Sequence, residues 1–210
     1  LAPDEPEPPR PLAPSRPGAV IVDATLGAGG HSEALLDAGA SRVIGVDRDL
    51  RAIELARARL ARFGARVSFH HAAFADLPAV LAAAGVERVD GVLADLGVSS
   101  MQLDDAERGM SFRRAGPIDM RMNPTRGQTA LELIEELDDD ELTELILKLG
   151  DERRARRVAR CIKQELEAGT LKTTLDLRRA VVRAVGPNRV GNVDPATRTF
   201  QALRIAVNSE

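Results

Sequence analysis

Short apolar runs alternate with helical patterns in the first hundred residues of the chain. The runs span residues 19–23, 43–47, 66–70 and 89–95, and each is followed by polar or glycine residues. Such short two-sided apolar runs are typical of strands buried in a parallel sheet. Between them, residues 31–38, 50–63 and 76–84 carry helical patterns, and the middle one has apolar positions at helical spacing. This alternation predicts a doubly wound, Rossmann-like α/β sheet of about four parallel strands with right-handed crossovers.

The alternation stops after Asp95. Helical patterns then occupy residues 130–136, 140–149, 152–167 and 174–185, and Asp194-Pro195 opens a further helix. We therefore predict a disordered proline-rich lead-in at 1–17, which holds seven of the 12 prolines, and a cofactor-binding half at 18–100. A mainly helical insertion domain follows at 101–193, and the helix at 194–210 is expected to return to the sheet.

Composition narrows the classes of function. Hydrophobic residues make up 44% and charged residues 29% of the 210 positions, which are ordinary globular values. The single Cys161 excludes a disulfide framework, and the three histidines lack metal-ligand spacing, so no metal site is expected. No apolar run approaches a membrane span and no basic-then-apolar leader opens the chain, which predicts a cytoplasmic protein without a membrane partner. Because the net charge is -3, any nucleic-acid surface must be a local patch.

The glycine-rich segment at residues 23–32 joins the first predicted strand to the first helix, where open α/β sheets bind nucleotides. Alone the motif is weak, since a plain tight turn explains it as well. Ser32 stands where a dinucleotide fingerprint has its third glycine. Glu33 would repel a pyrophosphate docked on the helix N-terminus. A ligand without phosphates is therefore favoured, and a nucleotide-dependent oxidoreductase is disfavoured.

Each later strand end also carries a group suited to a nucleoside. Asp47 follows the second strand and can accept hydrogen bonds from ribose hydroxyls, while Asp49 is better placed to cap the next helix. Phe74 follows the third strand and can stack on a purine, although a lone phenylalanine is more often a core residue. Asp95 ends the fourth strand. Since the carboxyl ends of parallel strands share one edge, these groups are expected to converge on one adenosine-sized ligand.

At this point several long segments resemble one family, the bacterial MraW (RsmH) methyltransferases. The segments are DATLGAGGHSEALL, GVDRD, LADLGVSSMQLDDAERGMSFR, GPIDMRMNPTRGQTA, DERRARRVAR and DPATRTFQALRIAVNSE. The resemblance implies a class I methyltransferase fold and transfer of a methyl group from S-adenosylmethionine to N4 of a cytosine in 16S ribosomal RNA. The implied partner is the small (30S) ribosomal subunit, and no DNA substrate is expected. The acidic rim formed by Asp23, Asp47 and Asp95 also suits a sulfonium cation better than a pyrophosphate.

The resemblance also implies residue roles. Gly29, Gly30 and His31 would line the methionine end of the cofactor, Asp47 would hold the ribose, and Phe74 the adenine. Asp95 and Gln102 would make further cofactor contacts. Acceptors for the cytosine amino group are not fixed by the sequence. The candidates are Asp95, Ser99, Asp119 and Asn123.

Arginines at helical spacing predict an RNA-binding face. Arg153, Arg156, Arg157 and Arg160 are spaced 0, 3, 4 and 7, so that they share one side of a helix, and Arg198 is a further candidate. The alternative is an ordinary solvated helix paired with nearby acidic residues. A second alternative concerns the whole chain. It reads the sequence as a truncated, non-catalytic RNA- or protein-binding remnant of the family, because the family's segments after the last helix have no counterpart here.

Overall fold

The computed structural model describes residues 18–187 and 193–208, so the predicted proline-rich lead-in lies outside the described residues. The chain divides into two compact units between Gly97 and Val98. We call residues 18–97 the α/β unit and residues 98–187 with 193–208 the helical unit. The boundary lies three residues before the predicted one.

The α/β unit alternates strands and helices. Its strands are β1 (Val20–Asp23), β2 (Arg42–Asp47), β3 (Val67–His71) and β4 (Gly91–Leu93). Its helices are α1 (Gly30–Asp37), α2 (Leu50–Leu60) and α3 (Leu77–Ala83), with 3-10 segments at Ala61–Arg66 and Phe74–Asp76. All strand pairs are parallel, in the order β3-β2-β1-β4. This confirms the predicted four-stranded parallel sheet.

The sheet is covered by helices on both faces. On one face Leu35 and Leu36 of α1 pack with Ile53 and Leu60 of α2 over Val43. On the other face Val80 of α3 packs over a second apolar cluster formed by Val22, Ala24, Ile44 and Val46. Burial on both faces explains why the strands read as continuous apolar runs rather than as alternating patterns.

Two elements of this unit are shorter than predicted. The second helix was expected to reach Phe63, but α2 ends at Leu60 and continues as a 3-10 segment in which Gly64 has φ 53°. The fourth strand was expected at 89–95, but β4 has three residues. After Leu93 the chain leaves the ladder, because the Asp95 amide donates to the hydroxyl of Thr25.

The helical unit contains six helices among its described residues. They are α4 (Ser100–Asp104), α5 (Ala130–Glu136), α6 (Asp139–Gly150), α7 (Ala155–Glu167), α8 (Thr174–Val185) and α9 (Thr197–Asn208), with a 3-10 segment at Ala106–Arg108. One apolar core joins them, and Ile146, Ile162, Leu177 and Phe200 are fully buried in it. The short α4 was not predicted.

The last helix was predicted to return to the sheet. Within its own unit, α9 packs against α6 and α5, and its Phe200 and Leu203 are fully buried in the core of the helical unit, while the return to the sheet stays a prediction. Gly150 at the end of α6 allows this contact, since a Cβ there would lie 2.5 Å from the carbonyl oxygen of Arg198. The helix is amphipathic, and its apolar face is used within its own unit.

Candidate functional site

The loops that leave the four strands meet at one edge of the sheet. The Ala24 amide donates to the Leu93 carbonyl (2.8 Å), which joins the loops after β1 and β4. The Leu26 amide donates to the Val46 carbonyl (3.0 Å) and the Ala72 amide to the Asp47 carbonyl (3.0 Å), which join β1 to β2 and β2 to β3. The edge predicted to carry the ligand therefore has its loops fastened to one another along its whole width.

The glycine-rich loop is shaped by close packing. Leu26 packs over Gly45 in the middle of β2, where a Cβ would lie 2.8 Å from the leucine Cδ1. Gly29 caps α1 at φ 81°, and a Cβ on it would lie 3.0 Å from the Leu60 Cδ1. The loop thus lies tight against β2 and α2, so that its backbone, including exposed Gly30, forms the surface at the start of α1.

At this edge, the carboxylate of Asp47 is held in place by backbone hydrogen bonds. Its Oδ2 accepts from the Gly27 amide at 2.7 Å and its Oδ1 from the Asp49 amide at 2.8 Å. Since a carboxylate oxygen accepts about two hydrogen bonds, each oxygen keeps capacity for one more. Burial raises the pKa of Asp47 above its ordinary value, and hydrogen bonds from the backbone of Asp49, Gly27 and Arg48 partly oppose the shift. Asp49 caps α2 through the Arg51 amide, as predicted, so Asp47 is not needed as a cap.

Asp23 is not part of an exposed acidic rim, contrary to the prediction. Its side chain is fully buried and accepts from the Ser32 hydroxyl at 2.7 Å and from the Thr25 amide at 3.3 Å. Burial raises its pKa, while these bonds and the nearby His31 lower it. Asp23 therefore ties β1 to the first turn of α1. This bond gives Ser32 a structural role. From the sequence alone, Ser32 was only a departure from the dinucleotide fingerprint.

Glu33 also differs from its predicted effect. Its carboxylate lies 3.3 Å from Arg62 Nη2 and 4.0 Å from Arg59 Nε. The neighbouring guanidinium groups offset much of the charge that was expected to repel a pyrophosphate. The case against a dinucleotide therefore depends on Ser32, whose buried side chain stands where the fingerprint needs a glycine.

Phe74 and Asp95 both face solvent at this edge. Phe74 is 44% exposed, which excludes the alternative that it is a core residue. Asp95 is exposed, and its carboxylate makes no hydrogen bond or ion pair within the described part of the chain. The structure thus brings the predicted residues to one sheet edge, at strand ends, in the loops that follow and at the start of α1: Gly29, Gly30, His31, Asp47, Phe74 and Asp95. An aromatic face, a carboxylate with spare acceptor capacity and a free carboxylate are groups that a nucleoside bearing a positive charge would use.

The remaining polar candidates lie in the helical unit, and each has a local structural partner. Ser99 and Gln102 form a capping box at the start of α4: the Gln102 amide donates to Ser99 Oγ (3.3 Å) and the Ser99 amide to Gln102 Oε1 (3.0 Å). Asp119 is held by Arg121, whose Nη2 lies 2.7 Å from Oδ2 and whose Nε lies 2.8 Å from Oδ1. Asn123 accepts from the amide and hydroxyl of Thr125 in a turn.

Three of the four predicted arginines lie on the exposed face of α7, and the fourth lies before the helix. The helix begins at Ala155, because the Glu152 side chain accepts from the Arg154 amide (2.8 Å) in a turn before it, so Arg153 lies outside the helix. Arg156, Arg157 and Arg160 are exposed, opposite the buried Val158 and Ile162. Arg156 pairs with the exposed Asp140 at 3.1 Å, and Arg198 donates to the Asp151 carbonyl at 2.9 Å.

No group of three or more histidine, cysteine, aspartate or glutamate side chains in residues 18–187 and 193–208 is arranged to hold a metal ion. In the same residues no helix has the length and apolar character needed to cross a membrane.

Comparison with known proteins decides the family. The profile of the MraW methylase family matches residues 10–210, which is nearly the whole chain. The chain belongs to the MraW methylase family. Family relatives named ribosomal RNA small subunit methyltransferase H include one from Sorangium cellulosum, 68% identical over 191 residues, and one from Parafrankia, 51% identical over 199 residues. The alignments cover 91% and 93% of this chain.

The chain spans about three fifths of the length of these MraW relatives, since the two alignments cover 61% and 60% of them. A solved structure from Clostridium thermocellum, described as a candidate rRNA methylase, aligns with 41% of this chain and 48% of its own at 23% identity. Its TM-score of 0.34 is too low for that structure to bear on the fold.

Proposed function

We propose that the α/β unit binds S-adenosylmethionine at the carboxyl edge of its sheet. We further propose that the protein transfers a methyl group to N4 of a cytosine in small-subunit ribosomal RNA. The observation that carries the proposal is the gathering of Asp47, Phe74 and Asp95 with the Gly29–His31 turn at one edge of the sheet. Membership of the MraW methylase family supports the same reaction.

The residues present fit this cofactor. The spare acceptor position on each oxygen of Asp47 matches the two hydroxyls of a ribose. The exposed ring of Phe74 offers a face for adenine, and the unpaired carboxylate of Asp95 favours a cationic group. We assign the turn at Gly29–His31 to the methionine end of the cofactor. From the family resemblance, we assign Gln102 a further cofactor contact. When bound, the cofactor supplies a methyl group on a sulfonium, which is an excellent leaving group.

The protein then has mainly to position the cytosine that receives the methyl group. The lone pair of cytosine N4 is drawn into the ring, so the amino group needs in-line placement and hydrogen-bond acceptors that hold its protons. Among the four candidate acceptors, Ser99, Asp119 and Asn123 are engaged in a cap, an ion pair and a turn. Asp95 keeps both carboxylate oxygens without a partner in the described residues, and we assign the acceptor role to it.

Calorimetric titration with S-adenosylmethionine tests the binding site. Replacing Asp47 with Ala removes two charge-assisted hydrogen bonds to the ribose, so the affinity is expected to fall about 100-fold. Asp47→Asn keeps the size of the side chain and shows how much depends on the charge. Glu87→Gln is the matched control, because exposed Glu87 precedes β4 at the opposite end of the strands. Unchanged affinity in Asp47→Ala, or tighter binding of NAD than of S-adenosylmethionine, would contradict the assignment.

The reaction is tested with the protein on small ribosomal subunits that lack the modification. Transfer of a radiolabelled methyl group to one cytosine of the 16S RNA is expected. Absence of transfer, together with intact RNA binding, would favour the alternative of a non-catalytic remnant.

RNA binding by the helical unit is proposed for the arginines at and before α7, with Arg198 as a further contact. Replacing Arg153, Arg156, Arg157 and Arg160 with Ala should weaken RNA binding and reduce the slope of log affinity against log salt by about 3, at 0.7 to 0.9 per lost phosphate contact. Cofactor affinity should hold. Arg179→Ala and Arg183→Ala are the controls, because Asp176 and Glu165 already hold these side chains. An unchanged slope in the fourfold variant would refute this surface.

A further inference from the structure

The segment after β4 carries the proposed acceptor Asp95 on an exposed stretch of backbone. Residues 94–97 are all exposed, although Ala94 and Leu96 are apolar. Leu96 is 69% exposed, and a Cβ on Gly97 would meet no atom within 4 Å. Burial therefore does little to fix the backbone at Asp95, since buried apolar contacts are what normally order a segment without secondary structure.

A hydrogen bond to Thr25 ties this segment to the end of β1. The Asp95 amide donates to Oγ1 of Thr25 at 2.7 Å, a normal distance for a well-formed bond. Within the described part of the chain, residues 94–97 make no other hydrogen bond. The preceding bond is at the Leu93 carbonyl and the following one is at the Ser99 amide. In the described structure, the hydroxyl of Thr25 is thus the anchor of the backbone between these two points.

Thr25 is a firm anchor because the backbone around it is fixed. Ala24 before it is bonded to β4 at 2.8 Å and Leu26 after it is bonded to β2 at 3.0 Å, in both cases from backbone amide to backbone carbonyl. The Thr25 amide itself donates to Oδ1 of the buried Asp23 at 3.3 Å. The half-buried side chain of Thr25 therefore stands at a defined point beyond β1, and the Asp95 amide is held against it.

We propose that Thr25 is a positioning residue, whose hydroxyl holds Asp95 where its carboxylate meets the amino group of the target cytosine. The proposal rests on the proposed function, which assigns the acceptor role to Asp95. Methyl transfer needs an in-line arrangement, and a misplacement of about 1 Å can lower the rate about 100-fold. Without the bond, the exposed backbone around Asp95 has more conformations, so the carboxylate is in place for a smaller part of the time. Thr25 acts through Asp95 and need not touch either substrate.

Replacement of Thr25 tests this role in single-turnover methyl transfer to small ribosomal subunits that lack the modification. Thr25→Val keeps the shape of the side chain but has no acceptor. Its rate constant at saturating S-adenosylmethionine should fall about tenfold, while the half-saturating concentration of subunits should change less than about twofold. Thr25→Ala also lacks the hydroxyl and should show the same loss. Thr25→Ser keeps the hydroxyl and should restore most of the wild-type rate.

Ser41→Ala is the matched control, because it also removes a hydroxyl that is hydrogen-bonded next to β1. The Ser41 hydroxyl donates to the Gly18 carbonyl at 2.6 Å, at the opposite end of the strand from Thr25, and its loss should leave the rate unchanged. A double-mutant cycle with Asp95→Ala then separates positioning from a general loosening of the fold. Thr25→Val should lower the rate about tenfold in the wild-type chain and less than about twofold in the Asp95→Ala chain. An equal loss in both backgrounds would contradict the positioning role.

Amide hydrogen exchange measured by NMR tests the anchor without relying on activity. In the wild-type protein, the Asp95 amide should exchange at least about tenfold more slowly than the Leu96 amide, which has no partner in the described residues. This protection should be lost in Thr25→Val and kept in Thr25→Ser.

The outcomes separate this proposal from the proposed function. An unprotected Asp95 amide in the wild-type protein, or a Thr25→Val variant with the wild-type rate, overturns the role of Thr25 while the proposed function stands. A wild-type protein that transfers no methyl group overturns the proposed function, and the positioning role falls with it whatever the exchange rates.

Discussion

The two units place polar residues at predicted functional positions, but they use them differently. At the sheet edge of the α/β unit, Asp47 keeps spare acceptor capacity and Asp95 has no partner within the described residues. In the helical unit, Ser99 is used in a cap and Asp119 in an ion pair. A tally of hydrogen bonds thus separates groups that are ready for a ligand from groups that hold the fold together.

The same contrast exists between glycines. In the helical unit, a Cβ on Gly116 would lie 1.9 Å from the carbonyl oxygen of Ala106, which is backbone and cannot move aside. In the α/β unit, a Cβ on Gly30 would meet only the Nη1 atom of Arg59 at 3.2 Å, the end of a flexible side chain. Gly116 is required by packing. Gly30 is not required by packing, and its proposed role in cofactor binding can therefore be tested apart from stability.

The largest expected effect tests this difference. Gly116→Ala should lower the free energy of unfolding by about 3 kcal/mol or more, since two backbone segments must separate. Gly30→Ala should change it by less than about 1 kcal/mol, because alanine is a better helix former at the start of α1, yet it should weaken binding of S-adenosylmethionine. Urea unfolding and calorimetric titration measure the two quantities.

Gly127→Ala is the control for backbone strain alone. Gly127 has φ 75° with open space around the missing Cβ, so its replacement should cost about 1 kcal/mol. If Gly116→Ala cost no more than Gly127→Ala, the close approach to Ala106 would not be a packing constraint. If Gly30→Ala destabilised the chain as strongly as Gly116→Ala, the contrast between the units would be lost.

Much of the α/β unit was predictable because its signals are local. Each predicted strand is an apolar run that ends at a polar residue, and parallel pairing brings these ends to one edge whatever the details of packing. The role of Asp49 as the helix cap, which leaves Asp47 free of capping, also follows from position alone. The family resemblance supplied the proposed cofactor contact of Gln102. It also favoured a contact of Phe74 with adenine over a core position, a choice that spacing by itself left open.

The rest depended on contacts distant in sequence. Nothing near Ser32 indicates that it bonds to Asp23 on β1, and nothing near Glu33 indicates its contact with Arg62. The amphipathic pattern of α9 predicts that one face is buried, but not that α6 of its own unit buries it. A periodic pattern gives the face of a helix and leaves its partner open.

A smaller effect sharpens the comparison at α4. Ser99→Ala breaks the capping box and should lower the free energy of unfolding by about 1 kcal/mol, while cofactor affinity holds. Gln102→Ala breaks the same box and should also weaken S-adenosylmethionine binding several-fold, as the proposed cofactor contact requires. Urea unfolding and titration of both variants separate the roles. Equal cofactor affinity in the two variants would leave Gln102 as a cap alone.

The smallest effect is a pH dependence of opposite sign in the two units. Burial raises the pKa of Asp23 above 3.8, although its hydrogen bonds oppose the shift, so the folded state prefers the protonated form. Its contribution to stability is complete below pH 3.8 and is lost as the pH rises through the raised pKa. For Asp119, burial acts upward, but the hydrogen bonds and charge of Arg121 outweigh it and lower the pKa. Its contribution is present above pH 3.8 and is lost as the pH falls through the lowered pKa.

Asp23→Asn and Asp119→Asn isolate the two contributions, since each keeps the size of its side chain. The difference in unfolding free energy between wild type and Asp23→Asn should shift against wild type as the pH rises from 3.8. The difference between wild type and Asp119→Asn should shift against wild type as the pH falls below 3.8. Urea unfolding at a series of pH values measures both differences. If the two differences changed with pH in the same direction, the opposite pKa shifts of Asp23 and Asp119 would be contradicted.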